Sequence, residues 1–316
     1  RGSTSLVPDL LGNLPSVADL AARVPGLANR SLSAPAVSRV LKRVADVDPR
    51  RSLPTFAATT FQASYARMAA AGRLPQAPSP VGPVVLWVDT FTDHFAPEAA
   101  VASLRVLVAA GFAVEVVTEN ACCGLTWITT GDLDAARSRL RTLVDVLGRS
   151  GGGDDAVPIV GVEPPCVAAV RDDLPDLLPD EPGMPAVVAR VRTLSEVLVT
   201  RRPDWSPPSL AGKTIVVQPH CHQHAVMGFG PDRAILAATG ADVVTVGGCC
   251  GLAGNWGLER GHHDVSVAIA NQQLLPAVEA VPDDAIVVAD GFSCRTQLAD
   301  LAGRRAHHLA EVLLDV

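Results

Sequence analysis

The sequence predicts an α/β protein: two pseudo-repeated β-α-β halves with parallel sheets, preceded by a helical N-terminal segment. Three observations predict it. From residue 84 onward, short apolar runs alternate with helical stretches, the pattern of buried parallel strands and their crossovers. The order of elements recurs, and each half carries a Cys-Cys-Gly triplet, Cys122-Cys123-Gly124 and Cys249-Cys250-Gly251. The spacing recurs too: 42 residues separate Cys123 from Cys166, and 43 separate Cys250 from Cys294. Matched cysteines in an internal repeat are hard to attribute to chance.

Residues 1–83 read as a helical lead-in and linker. Ser16 is placed to cap a helix over residues 17–24, halted by Pro25-Gly26. Ser33 and Pro35 introduce Val37, Val40, Leu41 and Val44 on one helical face. A third helix is expected from Phe61 to Ala71, ended by Gly72, and four prolines between Leu74 and Pro83 mark a linker. The first half, 84–206, opens on a strand over Val84 to Val88. A helix over 97–110 and a strand over 113–117 lead to Cys122-Cys123-Gly124. A helix over 132–147 and a strand over 157–162 lead to Glu163-Pro164-Pro165-Cys166. The second half, 207–316, repeats this order. A strand over 214–217 closes on His220-Cys221-His222-Gln223-His224. A helix over 232–239 and a strand over 242–246 lead to Cys249-Cys250-Gly251. One long helix over about 265–278 and a strand over 285–289 lead to Ser293-Cys294. Every cysteine thus follows a strand end, where open parallel sheets build their sites.

Bulk properties exclude several classes. Hydrophobic residues at 48% and charged residues at 19% fill a core and rule out a disordered chain. A net charge of −7, with no dense basic stripe, argues against a nucleic-acid surface. No apolar run reaches the roughly 18 residues of a transmembrane helix, and no signal-peptide pattern is read at the start. The chain opens on Arg1 rather than Met, as expected of a processed chain or a piece of a longer one. The cysteines number seven, an odd count in a large chain, which favours metal or redox chemistry over a disulfide framework.

In the second half, Cys221, Cys249, Cys250 and Cys294 come from three strand ends that a parallel sheet brings together. Four thiolates suffice for an iron–sulfur cubane or a tetrahedral zinc. Adjacent side chains on extended backbone point apart, so the Cys249-Cys250 pair suits a polynuclear cluster better than one ion. Zinc, structural thiols and a vicinal disulfide are the alternatives. Gly251 and Gly124 let backbone N–H groups approach the sulfurs. His220 and His222 can ligate metal, but hydrogen-bonding to sulfurs around the centre is the favoured reading. His262-His263 and His307-His308 read as surface or capping residues. Trp127 and Trp256, just after the two triplets, read as core packing or as shields of the centre. The first half has only Cys122, Cys123 and Cys166; where Cys221 would stand, it has Asp89 to His94. Three thiolates with Asp89, His94 or Glu163 make a site, or the half keeps the fold without its centre. Other motifs fail. Ala211-Gly212-Lys213-Thr214 lacks the leading glycine of a phosphate loop, since Pro207 stands there. The letters of a nucleophile elbow at Gly148 to Gly152 follow a helix rather than a strand.

These motifs resemble the cysteine-rich CCG domain found in heterodisulfide reductases, in glycolate oxidase iron–sulfur subunits, and at the C-terminal end of FAD-linked D-lactate or D-2-hydroxy-acid dehydrogenases. The resemblance covers about residues 84–316. It rests on the two triplets, on Glu163-Pro164-Pro165-Cys166, on His220-Cys221-His222, and on Ser293-Cys294-Arg295-Thr296-Gln297. The lead-in, with Arg51-Ser52-Leu53-Pro54-Thr55-Phe56, is similar to the segment that joins a ferredoxin-type region to the CCG pair in the fused enzymes. Heterodisulfide-reductase-type halves close on a further cysteine where Ala169 and Gln297 stand, so the glycolate-oxidase-like and lactate-dehydrogenase-like branch fits better. The resemblance implies an iron–sulfur-binding electron-transfer module, with a 4Fe-4S cluster as the expected centre. It implies FAD in another domain or in a separate flavoprotein, a ferredoxin-type domain beside it, and an acceptor such as a quinone. Such a chain is part of an oxidoreductase and inactive as a dehydrogenase alone, cytoplasmic or peripheral at the inner membrane. A thiol-redox component of the heterodisulfide type and a zinc-stabilised, non-enzymatic interaction scaffold are the readings from other classes.

Overall fold

A computed structural model describes residues 14–314. It contains two parallel sheets. The four-stranded sheet has the order β2-β1-β3-β4 and the three-stranded sheet the order β6-β5-β7. The strands are β1 (Gly82–Trp87), β2 (Phe112–Val116), β3 (Ile159–Gly161), β4 (Val191–Arg192), β5 (Thr214–Val217), β6 (Asp242–Thr245) and β7 (Ile286–Val288). Each pairing is parallel. In both sheets the first strand of the half lies between the second and the third, so β1, β2 and β3 correspond to β5, β6 and β7. The repeat seen in the cysteine spacing is therefore a repeat of topology. The counterpart of β4 in the second sheet is reduced to a parallel bridge of His307 to Val288 of β7, followed by the helix Leu309–Val312 with its own His308/Glu311 capping box. No apolar run announces β4. It is two residues long and leads directly to the helix Leu194–Arg201, started by a Thr193/Glu196 capping box.

The strands form where the apolar runs lie because the central strands are covered on both faces, while the edge strands β2 and β6 are partly exposed. Val84, Val85, Leu86 and Trp87 are all buried, and Ile215 and Val216 are fully buried. One apolar core runs through both halves: Val84, Leu86 and Val160 of the first sheet share it with Ile215, Val217 and Val288 of the second. Separate cores lie behind each sheet, one holding Cys123 and Cys166 and the other Cys250 and Cys294.

Two expectations need correction. The helix over 265–278 is two helices, His263–Ala270 and Leu274–Glu279. Pro276 explains the break: its ring clashes with the carbonyl four residues back, and it has no N–H to donate. The first described helix runs Leu14–Ala21, so it begins before Ser16 rather than being capped by it. The helices Pro25–Ser33 and Pro35–Val44 follow, neither with a buried residue. The lead-in then docks on the second half: Asp48 N–H donates to the Leu258 carbonyl at 2.8 Å and Arg260 N–H to that of Asp46 at 2.7 Å.

Candidate metal centre

The second cysteine set is assembled by the ends of three adjacent strands. Cys221 opens the helical turn after β5, Cys249 and Cys250 lie in the loop after β6, and Cys294 sits in the first turn of the helix Phe292–Ala302 after β7. Their thiols touch in a row: Cys221 meets Cys249, Cys249 meets Cys250, and Cys250 meets Cys294. Contact of four thiols in a protein of this size has a physical consequence. Cys249 lies far below the ordinary thiol range because Cys221 and Cys250 both turn their S–H groups towards it. The Gly251 N–H adds a third donor to its sulfur at 3.3 Å. Cys221 and Cys250 are pushed up, since each faces the negative charge so gathered. Within the set Cys249 is thus the thiol most readily ionised, and Cys221 and Cys250 the least.

Glycine is imposed at two positions around this set. Gly251 has φ +92°, and a Cβ on it would lie 2.3 Å from the Ser266 carbonyl oxygen. A Cβ on Gly291 would lie 2.4 Å from the His220 ring. His220 is buried, and burial first, then the charge of His222, lowers its pKa to about 4. It stays neutral. Its Nδ1 is 3.8 Å from the Cys221 sulfur and accepts from the His222 N–H at 3.2 Å. The Nδ1 atom of His222 is buried without a hydrogen-bond partner. An orphaned ring nitrogen beside Cys221 fits a centre that this loop helps to enclose. Among the described residues, no three His, Cys, Asp or Glu side chains form a ready set for a single ion. The thiols stand as a row of pairs rather than around one point.

The first set repeats the layout with one position changed. Cys123 donates to the Cys166 sulfur at 2.8 Å, and Cys122 touches Cys123. The contact with Cys123 and then burial push the Cys122 thiol up. The contact with Cys123 is the largest single influence on Cys166 and lowers it, but burial together with the charges of Asp89, Glu163 and Cys122 carries the thiol up to about 12. Where Cys221 has its counterpart, after β1, Asp89 caps the helix Thr90–Phe95, accepting from the Thr92 N–H at 3.0 Å and its hydroxyl at 2.6 Å. Burial raises the pKa of this carboxyl. Trp127 packs with Cys122 and Ala136, so it closes this set from one side. Trp256 instead stacks on His262 with ring centres 4.3 Å apart.

Several groups that the sequence marked only as parts of motifs or as candidates take definite places near the sets. Glu163, just ahead of Cys166, accepts at 2.8 Å from the N–H of Phe292, the first residue of the helix Phe292–Ala302. Burial raises Glu163 to about 8, against the pull of Arg295. The buried Oε2 of Glu163 and Nη2 of Arg295 lack hydrogen-bond partners and face each other at 3.9 Å. This contact bridges the loop of Cys166 to that of Cys294. Gln297 stands where the heterodisulfide-type pattern has a cysteine. It is fully buried and donates to the Cys250 carbonyl at 3.0 Å. His308 does cap a helix, Leu309–Val312, but it is buried and its ring lies 3.1 Å from the Val162 carbonyl.

Residues 215–299 match the model of the cysteine-rich CCG domain, and this segment of the chain is a CCG domain. Over 296 residues the chain is 26% identical to the C subunit of the anaerobic glycerol-3-phosphate dehydrogenase of Escherichia coli (strain K12), in a match that covers 89% of this chain and 70% of that one. It is 26% identical over 317 residues to the D-2-hydroxyglutarate dehydrogenase of the same strain, and spans 30% of that protein's length. It is 23% identical over 251 residues to lactate utilization protein A of Bacillus cereus (strain B4264), covering 98% of it and 73% of this chain. No helix among the described residues is long and apolar enough to cross a membrane.

Proposed function

We propose that this chain is an iron–sulfur electron-transfer module of a flavin-linked dehydrogenase acting on a hydroxyl-bearing acid or phosphate. One observation carries the reading: the four thiols of Cys221, Cys249, Cys250 and Cys294 meet at the ends of three adjacent strands, with the Gly251 N–H aimed at the Cys249 sulfur. These four residues would hold the cluster, a 4Fe-4S centre, which when bound accepts and passes on single electrons. The Gly251 N–H donates to the ligand sulfur, and neutral His220 and His222 close the mouth of the site. Cys122, Cys123 and Cys166 are proposed as a second, altered centre, with Asp89 committed to capping its helix. The activities for which these relatives are named point to substrates such as glycerol 3-phosphate, D-2-hydroxyglutarate and lactate. One of these relatives is a component of a larger enzyme, which supports a flavin-containing partner protein or domain. A ferredoxin-type domain and a quinone complete the proposed path.

Anaerobic purification with iron, acid-labile sulfide and zinc quantified tests this. Wild type should carry iron and sulfide with an EPR signal on reduction, and Cys250→Ser should lose most of both. Full cluster content in that variant would contradict the ligand set. Zinc without iron or sulfide would favour a zinc-stabilised scaffold. The chain alone should oxidise no 2-hydroxy acid; turnover without an added flavoprotein would sink the proposal.

A further inference from the structure

Arg51 lies in the lead-in, between the helices Pro35–Val44 and Phe61–Ala70, yet its side chain ends inside the second half. It is 1% exposed. Its guanidinium donates three hydrogen bonds: Nε to the Gly257 carbonyl at 2.9 Å, Nη1 to Gln297 Oε1 at 2.7 Å, and Nη2 to the Ser266 hydroxyl at 2.6 Å. None of these acceptors is charged. The nearest carboxylate recorded as its ion-pair partner, Asp300, is 3.9 Å away. Asp48 also acts on it, opposed by Arg50. A buried guanidinium with no carboxylate in direct hydrogen-bond contact is costly, and the cost points to a further negative charge. The hydrogen bonds lead to it. Gln297, held by Arg51, donates to the Cys250 carbonyl at 3.0 Å and to the Ser266 hydroxyl at 3.1 Å. Ser266 in turn backs Gly251, where no side chain fits. Of the charges that act on Arg51, Asp300 and Asp48 come first and Cys250 after them; the link to Cys250 is the hydrogen-bond path through Gln297.

A second buried arginine shows the contrast. Arg190 also donates to three neutral acceptors, the carbonyls of Val157, Leu147 and Ser150. The charges acting on it are Asp155, Asp154 and Glu115, and no cysteine is among them. Arg190 ties loops together; Arg51 is linked through Gln297 to the backbone of Cys250.

We infer that Arg51 is the built-in counter-charge of the second cysteine centre, a positioning residue that fixes Cys250 through Gln297 and favours the centre's reduced state. The inference rests on the iron–sulfur reading of that centre. Four thiolates leave a cluster negatively charged, and reduction adds one more negative charge. A fixed cation in a dry environment stabilises the reduced form more than the oxidised one.

Redox titration by EPR of the full chain, loaded anaerobically with iron and sulfide, decides it. Arg51→Gln keeps length and polarity but removes the charge. Its one-electron reduction equilibrium should fall at least tenfold, about 59 mV. Arg51→Lys should stay within about threefold of wild type. Gln297→Glu keeps Arg51 in place but neutralises it from one side, and should shift the same way as Arg51→Gln. This variant gives the answer if Arg51→Gln fails to fold. A wild-type potential in Arg51→Gln or in Gln297→Glu overturns the inference, as does an equal fall in Arg51→Lys and Arg51→Gln. A wild-type chain that takes up zinc alone overturns the iron–sulfur reading itself, and this inference with it.

Discussion

At the scale of single residues, the two Cys-Cys-Gly triplets owe their glycines to backbone geometry. Gly251 sits at φ +92° with the Ser266 carbonyl where a Cβ would be. An alanine there meets both a disfavoured φ and a fixed backbone oxygen. Gly251→Ala should therefore cost at least about 2 kcal/mol, read as a fall in urea midpoint with unchanged slope. A midpoint equal to wild type would show that the loop relaxes freely. Gly124 should respond less, since a Cβ there lies 3.4 Å from its nearest neighbour, the Ala136 carbonyl, and only the positive φ opposes alanine. The triplets and the closing cysteines were legible in the sequence because residue type and spacing carry them. Arg51 was not. Its hydrogen bonds span 206 to 246 residues, and no local pattern marks a side chain whose partners are set by tertiary docking. Gln297 was visible only as a departure from a family pattern. Its role as the link between Arg51 and Cys250 needs the fold.

At the scale of elements, apolar runs placed the strands to within two residues: the central strands β1 and β5 are buried on both faces, which favours unbroken apolar runs, whereas the edge strands β2 and β6 are partly exposed and admit Glu115 and Asp242. The missed elements had no such signature: β4 is two residues, and the break before Leu274 depends on Pro276 in a sequence that otherwise reads as one helix. The clearest difference between the halves is also local. Asp89, at the end of β1, takes up the helix-capping role, with the Thr92 N–H and hydroxyl as its donors. Asp89→Ala removes the cap of Thr90–Phe95 and should lower stability by about 1–2 kcal/mol, while iron and sulfide in the second half stay unchanged. Thermal melts and metal analysis on the same preparation check both parts. Loss of second-half iron would mean that the halves exchange ligands, against the separate sets described above. Arg190 makes a second case. Its guanidinium satisfies three carbonyls, those of Val157, Leu147 and Ser150. Arg190→Met leaves those buried acceptors unpaired and should cost about 3 kcal/mol, with no change in redox potential.

At the scale of the whole molecule, the two halves meet at a seam of buried polar groups, and that seam gives the chain a pH dependence of definite sign. Asp232, on the helix Gly230–Ala238 of the second half, accepts from the Ser195 hydroxyl of the first half at 3.1 Å and from Gln223 at 3.3 Å. A cavity of about 10 Å³ lies beside it, bounded also by Val162, Asp290 and His308. Burial raises the pKa of Asp232 from 3.8 to about 7, and the charges of Asp290 and Glu196 add to the rise. The folded state thus holds this proton more tightly than the unfolded chain does. The stability it contributes is complete below about pH 4 and is lost as pH climbs through about 7. Glu163, raised to about 8 at the same seam, acts with the same sign. Asp232→Asn keeps an acceptor for Ser195 and has no proton to lose. The difference in unfolding free energy between the two proteins isolates Asp232, because every other group titrates in both. Measured in urea at pH 5 and pH 8, wild type should lose stability relative to Asp232→Asn at the higher pH. The loss should appear in one cooperative transition, since Ile215 and Val288 share a core with Leu86 and Val160. Parallel pH profiles for the two proteins would place the proton elsewhere. Two separate transitions, with only one responding to pH, would show that the halves unfold independently despite their common core.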